Sequence, residues 1–415
     1  MQTEVIIIGG GLAGLIAARE LHSKGIEFKL LEATDRLGGR VKTDVIDGYQ
    51  LDHGFQVLLT AYPQARKWLN YDHLNLKHFV PGALVLYPSG EMDTVGDPAR
   101  DPSSLLSTMA SKAGSLKDKL SILKLKKKLN KESISQIFTK KEISTLNALS
   151  NQYGFSDKMI DNFFQPFYSG IFFENDLATS RRMFEFVFKM FSEGQVSVPN
   201  EGMGAIPHQI ASVLPESSIL LNSRVKSIEQ QKVLLENGET ITAPHIIIAT
   251  EANSLIQHYK NVNLDFQSTT HLHFVSEEPP IDKGIIGINA KKDKLITNIC
   301  NISKVAPGYA PPDKNLISVS IVGDPIPSEK ELIQSTRQEL KLWFGKQVET
   351  WDHLHTRKIN YALPRQTTVS NNLSEKDFVI REGLYCCGDH LLNGSLNAAM
   401  KTGSNLGKWL GEKLS

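Results

Sequence analysis

The sequence predicts an α/β fold in which a parallel-sheet domain is assembled from separated stretches of chain and an α+β domain is inserted between them in two parts. Three observations carry that expectation. A strand–turn–helix–strand pattern opens the chain, strand signals return between residues 219 and 249 after a long helical region, and a strand, a tight turn and a helix close it from Gly383 to Ser415. The expected boundaries are 1–75, 195–255 and 375–415 for the sheet domain, and 76–194 and 256–374 for the insertion.

Val5-Ile6-Ile7-Ile8 is a continuous apolar run rich in β-branched residues, as in a strand buried on both faces of a parallel sheet. Glycines follow at once. From Leu12 to Leu21 apolar and charged residues separate onto two helical faces, and Gly25 ends the pattern. Phe28 to Leu31 is a second apolar strand that finishes at Glu32. From about Leu105 to Glu193 helical patterning dominates, with a capping box expected at Thr139 and Glu142 and aromatic-rich stretches such as Asn162 to Tyr168. A helix is expected from Ile206 to Leu214. Strands are expected at 219–221, 225–228, 233–235 and 246–249, with a hairpin turn at Glu236-Asn237-Gly238-Glu239. The region from about Leu264 to Asn371 is mixed and broken by proline-rich connectors.

A chain of 415 residues suits two domains, and 40% apolar with 22% charged residues suits a globular protein. The formal charge of +1 gives no global attraction for nucleic acid, which is not expected as a partner. Cys300, Cys386 and Cys387 show neither metal-ligand spacing nor a disulfide framework, so no metal is expected and a reducing, cytoplasmic location is. No secretory signal pattern opens the sequence, and no segment approaches the run of about 20 apolar residues that spans a bilayer.

Gly9-Gly10-Gly11-Leu12-Ala13-Gly14 places G-x-G-x-x-G between a buried strand and a helix, the setting of a Rossmann-like dinucleotide site. Gly9 permits the tight turn, Gly11 lets backbone approach a pyrophosphate, and Gly14 lets helix pack closely on strand. Leu12 and Ala13 carry first-turn N–H groups with no intrahelical acceptor, aimed at phosphate. Glu32, about 20 residues on, is placed to accept hydrogen bonds from a ribose diol. The motif alone leaves FAD and NAD open.

The next segment, Glu32-Ala33-Thr34-Asp35-Arg36-Leu37-Gly38-Gly39-Arg40, resembles the flavin amine oxidase superfamily, which includes amine oxidases, protoporphyrinogen oxidases and phytoene desaturases. Further blocks resemble it too: Leu51-Asp52-His53-Gly54-Phe55-Gln56, Ser223-Arg224-Val225-Lys226-Ser227-Ile228, and Gly383 to Asp389 followed by Gly394-Ser395-Leu396-Asn397-Ala398-Ala399. The resemblance implies non-covalent FAD in a Rossmann-like, GR2-type domain with an inserted α+β substrate domain. It implies that Ala33, Gly39 and Arg40 lie at the pyrophosphate, with Arg36 helping or bracing the loop. It places Gly54, Phe55 and Gln56 beside the isoalloxazine, Val225 at the adenine, Gly388 and Asp389 at ribitol or phosphate, and the helix start at Leu396 and Asn397 toward the flavin N1 and O2 edge.

Flavin performs the redox chemistry itself, so little other catalytic machinery is expected. His53, immediately before the glycine expected at the ring, is a candidate for proton exchange; a structural role is equally open to it. The aromatics of 162–191 read as core or as an apolar substrate channel, with Tyr168 as a second catalytic candidate and polar handle. Tyr361 and Tyr385 are weak matches to an amine-oxidase aromatic pair, and no lysine is assignable by motif to a flavin-facing role. The implied activity is hydride removal from an apolar or amine-like small molecule, with oxygen, a quinone or another acceptor taking the electrons. A flavin-dependent isomerase and a non-catalytic carrier of the GDP-dissociation-inhibitor type remain alternatives. From Ser115 to Lys131 Leu116, Leu120 and Leu123, with Ile122 as an optional member, can form one helical face with a dense lysine face opposite, which suits either a solvated face of a helix packed on its own core or peripheral contact with an anionic membrane.

Overall fold

The computed structural model describes residues 2–250, 255, 265–326 and 328–415. The expected boundary between 255 and 256 and the expected start at Leu264 adjoin or fall on residues outside that description. A six-stranded sheet runs in the order Ile219–Leu220, Phe28–Leu31, Val5–Ile8, His245–Ile248, Leu384–Cys386, Val379–Arg381. The first five pair in parallel and the last pairs antiparallel. Val5–Ile8 is central and wholly buried, which is why it is apolar at every position.

The helix Leu12–Ser23 follows directly, and the closing helix Leu396–Leu414 packs along it. The contact requires glycine: a Cβ on Gly403 would stand 2.2 Å from the Ala13 carbonyl oxygen, and one on Gly407 2.8 Å from that of Ala17. The chain's two ends are thereby held backbone to backbone. A three-stranded antiparallel sheet, Val225–Glu229, Lys232–Leu235 and Thr240–Thr242, lies between them in sequence, with the expected turn at 236–239.

A seven-stranded sheet runs in the order Asp352–Pro364, Phe266–Ser276, Asn315–Val322, Asn298–Asn301, Ile286–Asn289, Gly82–Leu86, Met92–Gly96. It is antiparallel except where Ile286–Asn289 pairs with Gly82–Leu86. The region 105–193 is helical, with wide π-type turns at Ala148–Gln152 and Ile160–Phe164 before the helices Gln165–Phe172 and Arg181–Glu193. The box expected at Thr139 and Glu142 is not there. Thr139 instead ends the helix Ile134–Phe138 and its hydroxyl donates to the Gln136 carbonyl, while Ser133 and Gln136 form the box at that helix's start.

Replacing Gly403 with Ala is expected to destabilise the protein by about 1–3 kcal/mol, because the helices must separate to admit a methyl group. A lowered midpoint in denaturant unfolding checks this; an unchanged midpoint would show that the helix pair yields without cost.

Candidate functional site

A cavity of about 870 Å³ extends from the glycine turn to the seven-stranded sheet, at the upper end of the size of small-molecule sites. Its floor is bare backbone. Gly9 has φ +110°, and a Cβ there would stand 2.8 Å from the Ala249 carbonyl oxygen. Gly39 has φ +60°, and its Cβ would stand 3.1 Å from the Gly11 Cα, so two glycine backbones meet face to face. Gly11, Leu12 and Ala13 line the cavity at the unpaired first turn of the helix. Gly14 lies beneath them, where a Cβ would strike the Gly9 carbonyl oxygen, and serves the packing.

Glu32 is buried at the wall. Its Oε2 accepts from the Gly10 amide at 2.9 Å, and its Oε1 from the Thr34 amide and hydroxyl at 3.0 and 2.7 Å. Ala33, Gly39 and Arg40 line the same stretch. Arg40 donates to Asp389 Oδ1 at 2.5 Å and to the Ala362 carbonyl at 3.2 Å. Arg36 does not reach the cavity: its guanidinium is taken by Asp44 and the Thr43 carbonyl, so of the two roles expected for it the geometry gives the brace.

His53, Gly54, Phe55 and Gln56 line the middle of the cavity. Gln56 donates to the carbonyls of Arg40 and His53 at 2.7 and 3.0 Å, which ties the two loops together. His53 Nε2 lies 3.0 Å from Asp44 Oδ2, and Arg357 pairs with the same carboxylate. Burial pushes the His53 imidazole down, and Arg357 pushes it further against the opposing pull of Asp44. Burial would raise the Asp44 carboxyl, but His53, Arg357 and Arg36 outweigh it and hold it below its ordinary range. The result at neutral pH is a neutral imidazole beside an ionised carboxylate, which leaves Nδ1 an acceptor when Nε2–H donates to Asp44.

Val225 lines the cavity, as do Gly388, Asp389 and Leu396. The closing helix starts at Leu396, with the Ser395 side chain accepting from the Ala398 amide, so its positive end opens on the cavity. Asn397 departs from expectation: its side chain turns away and its Oδ1 accepts from the Gln64 amide at 3.0 Å.

Tyr168 is a correction. It is 2% exposed, its ring packs among Phe164, Phe167, Phe172 and Phe184, and it does not line the cavity. Spacing explains this. On the helix Gln165–Phe172 the stripe Phe164-Tyr168-Phe172 faces the core, and the adjacent stripe Phe167-Ile171, with Gly170, faces the cavity together with Phe173, Val187 and Phe191. The aromatic block is thus divided between core and wall. Tyr361 reaches the cavity, whereas Tyr385 packs on His245 and Trp409. The three cysteines are buried thiols and none lines it.

Sequence reasoning missed the roof. Thr269, Ile286, Ile288 and Asn298 come from the seven-stranded sheet, and Arg357, Lys358 and Ile359 from its edge strand Asp352–Pro364. Lys358 pairs with Asp324 at 2.9 Å. The edge strand's sequence, Asp-His-Leu-His-Thr-Arg-Lys-Ile-Asn-Tyr-Ala-Leu-Pro, lacks a clean apolar alternation, so nothing in it announces two cations over a ligand site. Asp52 was also passed over. It accepts from Thr43 at 2.5 Å, Tyr309 at 2.6 Å and the Met203 amide at 2.9 Å, yet burial still raises it to about 6.

The profile of the family described as flavin containing amine oxidoreductase matches residues 12–405. Coproporphyrinogen III oxidase of Bacillus subtilis (strain 168) is 23% identical over 76% of this chain and 76% of its own length. Polyamine oxidase 5 of Oryza sativa subsp. japonica is 52% identical over 12% of this chain and 10% of its own. A crystal structure titled as a putative protoporphyrinogen oxidase from Exiguobacterium sp. 255-15 superposes with a TM-score of 0.71 at 19% identity, covering 99% of both chains.

Two outcomes are expected. Tyr168→Phe should leave cofactor retention and turnover near wild type, whereas Tyr168→Ala should cost about 3–5 kcal/mol of stability, as emptied aromatic core sites do; turnover lost in Tyr168→Phe with folding intact would return the residue to the chemistry. Asp52 gives a pH signature. Its folded pKa of about 6 lies above the ordinary 3.8, so the native state keeps a proton that the unfolded chain releases. Its contribution is complete below pH 3.8 and is lost as pH rises through about 6, roughly 3 kcal/mol in all. The stability difference between wild type and Asp52→Asn, followed by denaturant melts from pH 4 to 7, should therefore change with pH; parallel curves would show that Asp52 does not titrate there.

Proposed function

The chain belongs to the flavin containing amine oxidoreductase family, and from that premise we propose that this FAD-dependent oxidoreductase acts on a neutral or anionic apolar small molecule rather than on a protonated amine. Bound FAD supplies the hydride-accepting chemistry. The donor set suits such a group. Gly11, Leu12, Ala13, Ala33 and Gly39 offer a bare, amide-rich floor for pyrophosphate, Glu32 offers a buried carboxylate for ribose hydroxyls, and Val225 flanks the adenine end. Arg40 and Asp389 are assigned the phosphate and ribitol, exchanging part of their mutual pairing for the ligand. No cysteine lines the cavity among the described residues, and the FAD is read as non-covalently held.

The observation that carries the substrate class is the charge on the walls. Among the described residues the carboxylates lining the cavity are Glu32 and Asp389, beside Gly10 and Arg40 respectively. The other end is walled by Phe167, Ile171, Phe173, Val187, Phe191 and Ile288, and its charged residues are the cations Arg357 and Lys358. An ammonium entering there would lose its hydration facing two cations and, among the described lining residues at that end, no carboxylate, which is costly. A neutral apolar substrate would not, and a carboxylate on it would find a cation. His53, held neutral against Asp44, is assigned proton exchange or tuning at the cavity's centre.

We read 1–75, 195–255 and 375–415 as the FAD-binding domain and 76–194 with 256–374 as the substrate domain, since both contribute walls. A cytoplasmic protein with peripheral membrane contact through the helix at 115–131 suits an apolar substrate.

The deciding experiment is anaerobic mixing of FAD-loaded protein with coproporphyrinogen III or with putrescine at equal concentration while flavin absorbance is followed. Bleaching by the porphyrinogen is expected to be at least about a hundredfold faster, the factor an uncompensated buried charge imposes. Faster bleaching by putrescine would overturn the assignment.

A further inference from the structure

The helix Leu116–Lys131 presents its apolar residues on two opposite faces. Leu125 and Leu129 are buried, with Ile122 partly so, and that side packs on the helix Arg181–Glu193, where Lys189 donates to the Leu129 carbonyl at 3.1 Å. Leu116, Leu120 and Leu123, spaced i, i+4, i+7, form a stripe on the far side and are 59%, 59% and 49% exposed. The preceding short helix Leu105–Ala110 adds Leu106, 78% exposed, with Leu105 and Met109 also exposed. Lys119 ties the two together by donating to the Met109 and Ser111 carbonyls, each at 2.8 Å.

Six large apolar side chains therefore face solvent within residues 105–123. Scattered exposed leucines are ordinary; six large apolar side chains on two helices joined through Lys119 call for something to cover them. The charge around it selects the occupant. Residues 105–131 contain eight lysines and one acid, Asp118, which is buried and consumed in capping its own helix. Lys117, Lys124, Lys127, Lys128 and Lys131 are exposed on the long helix, and Lys127 continues the leucine stripe one turn on. A leucine strip edged by lysines is the pattern of a helix lying in a bilayer interface, with apolar side chains among the acyl chains and ammonium groups at the phosphates. Among the described residues no helix is long and apolar enough to cross a membrane.

We infer that the leucine face of Leu105–Ala110 and Leu116–Lys131 seats the protein on the surface of an anionic phospholipid bilayer. This rests on the peripheral-contact reading above in naming a membrane, and it adds the docking side chains and the orientation. The orientation matters to the cavity. The helix Arg181–Glu193 carries the docking helix on one side and contributes Val187 and Phe191 to the cavity wall on another, so one helix separates the bilayer-facing surface from the apolar end of the site.

The test is co-sedimentation of FAD-loaded protein, without substrate, with vesicles of phosphatidylcholine alone or mixed with phosphatidylglycerol. Binding to the anionic vesicles is expected, at least about tenfold tighter than to the neutral ones. The combined Leu106→Ser, Leu116→Ser, Leu120→Ser and Leu123→Ser variant should weaken it at least about tenfold, and the Lys117→Glu, Lys124→Glu, Lys127→Glu variant should do so independently. Unchanged flavin absorbance and melting temperature would confirm that both variants fold. Failure to bind either vesicle, or binding untouched by the leucine substitutions, would overturn the inference. A leucine-dependent dimer in sedimentation velocity without vesicle binding would give the face to a second copy instead. None of these outcomes depends on which substrate bleaches the flavin.

Discussion

The contact between the first and last helices governs this molecule. With a Cβ position on Gly403 only 2.2 Å from the Ala13 carbonyl oxygen, the two helices lie at backbone contact, and their N-terminal turns are carried to adjacent walls of one cavity. One turn follows Gly9-Gly10-Gly11 and the other follows Gly394-Ser395. Each brings unpaired amides and a partial positive charge, so the pair makes a cradle for an anionic, extended ligand before any side chain is considered. The glycines are needed twice over: on one side to let helix meet helix, on the other to leave the floor free for a ligand.

Charge is then divided along the cavity. In the proposed reading Glu32 accepts from hydroxyl groups of the dinucleotide, and Asp389 holds Arg40, the arginine assigned to its phosphates. Past His53 the balance reverses, with Arg357 and Lys358 on the wall and their partners Asp44 and Asp324 behind them. Asp44 is the hub of that reversal, because it holds Arg36, His53 and Arg357 at once. Arg36, for which a phosphate contact and a bracing role were both open, is engaged by Asp44 on the bracing side. The same carboxylate settles the orientation of a ring, a loop and a sheet edge, and removing it would leave two guanidinium groups in a confined space with one counter-charge fewer.

The parts of the fold legible in the sequence were those with a local signature. Val5–Ile8, the glycine turn, the helix after it and Phe28–Leu31 could be placed because apolar strands, G-x-G-x-x-G and helical periodicity each have their own spacing. The turn at 236–239 and the short strands around it were legible for the same reason. The roof was not. Arg357 and Lys358 reach the cavity through the pairing of Asp352–Pro364 with Phe266–Ser276, a register decided by tertiary packing. Tyr168 was misplaced by an equally local cause: composition identified an aromatic helix, but which of its two stripes faces inward depends on the neighbour, here Phe184. Asn397 lies one residue past a correctly placed helix start, and a single step of 100° was enough to turn it onto Gln64.

The helical insertion joins these two levels. A helix with a single apolar face is satisfied by one partner. Arg181–Glu193 has more to satisfy: Phe184 and Phe186 go to the core, Val187 and Phe191 to the cavity, and its outer side receives Leu125 and Leu129. Leu116–Lys131 is thus already anchored by its inner face, and the leucines on its outer face add nothing to that anchoring. Exposed apolar area of this kind promotes unwanted association unless something covers it, and lysines at its border repel a second copy of the same face. The same lysines are attracted by phosphate headgroups. Apolar side chains outward, cations at the edge and an apolar cavity one helix behind are mutually consistent if ligand and docking surface share a medium, which is the sense of the proposed seating on lipid.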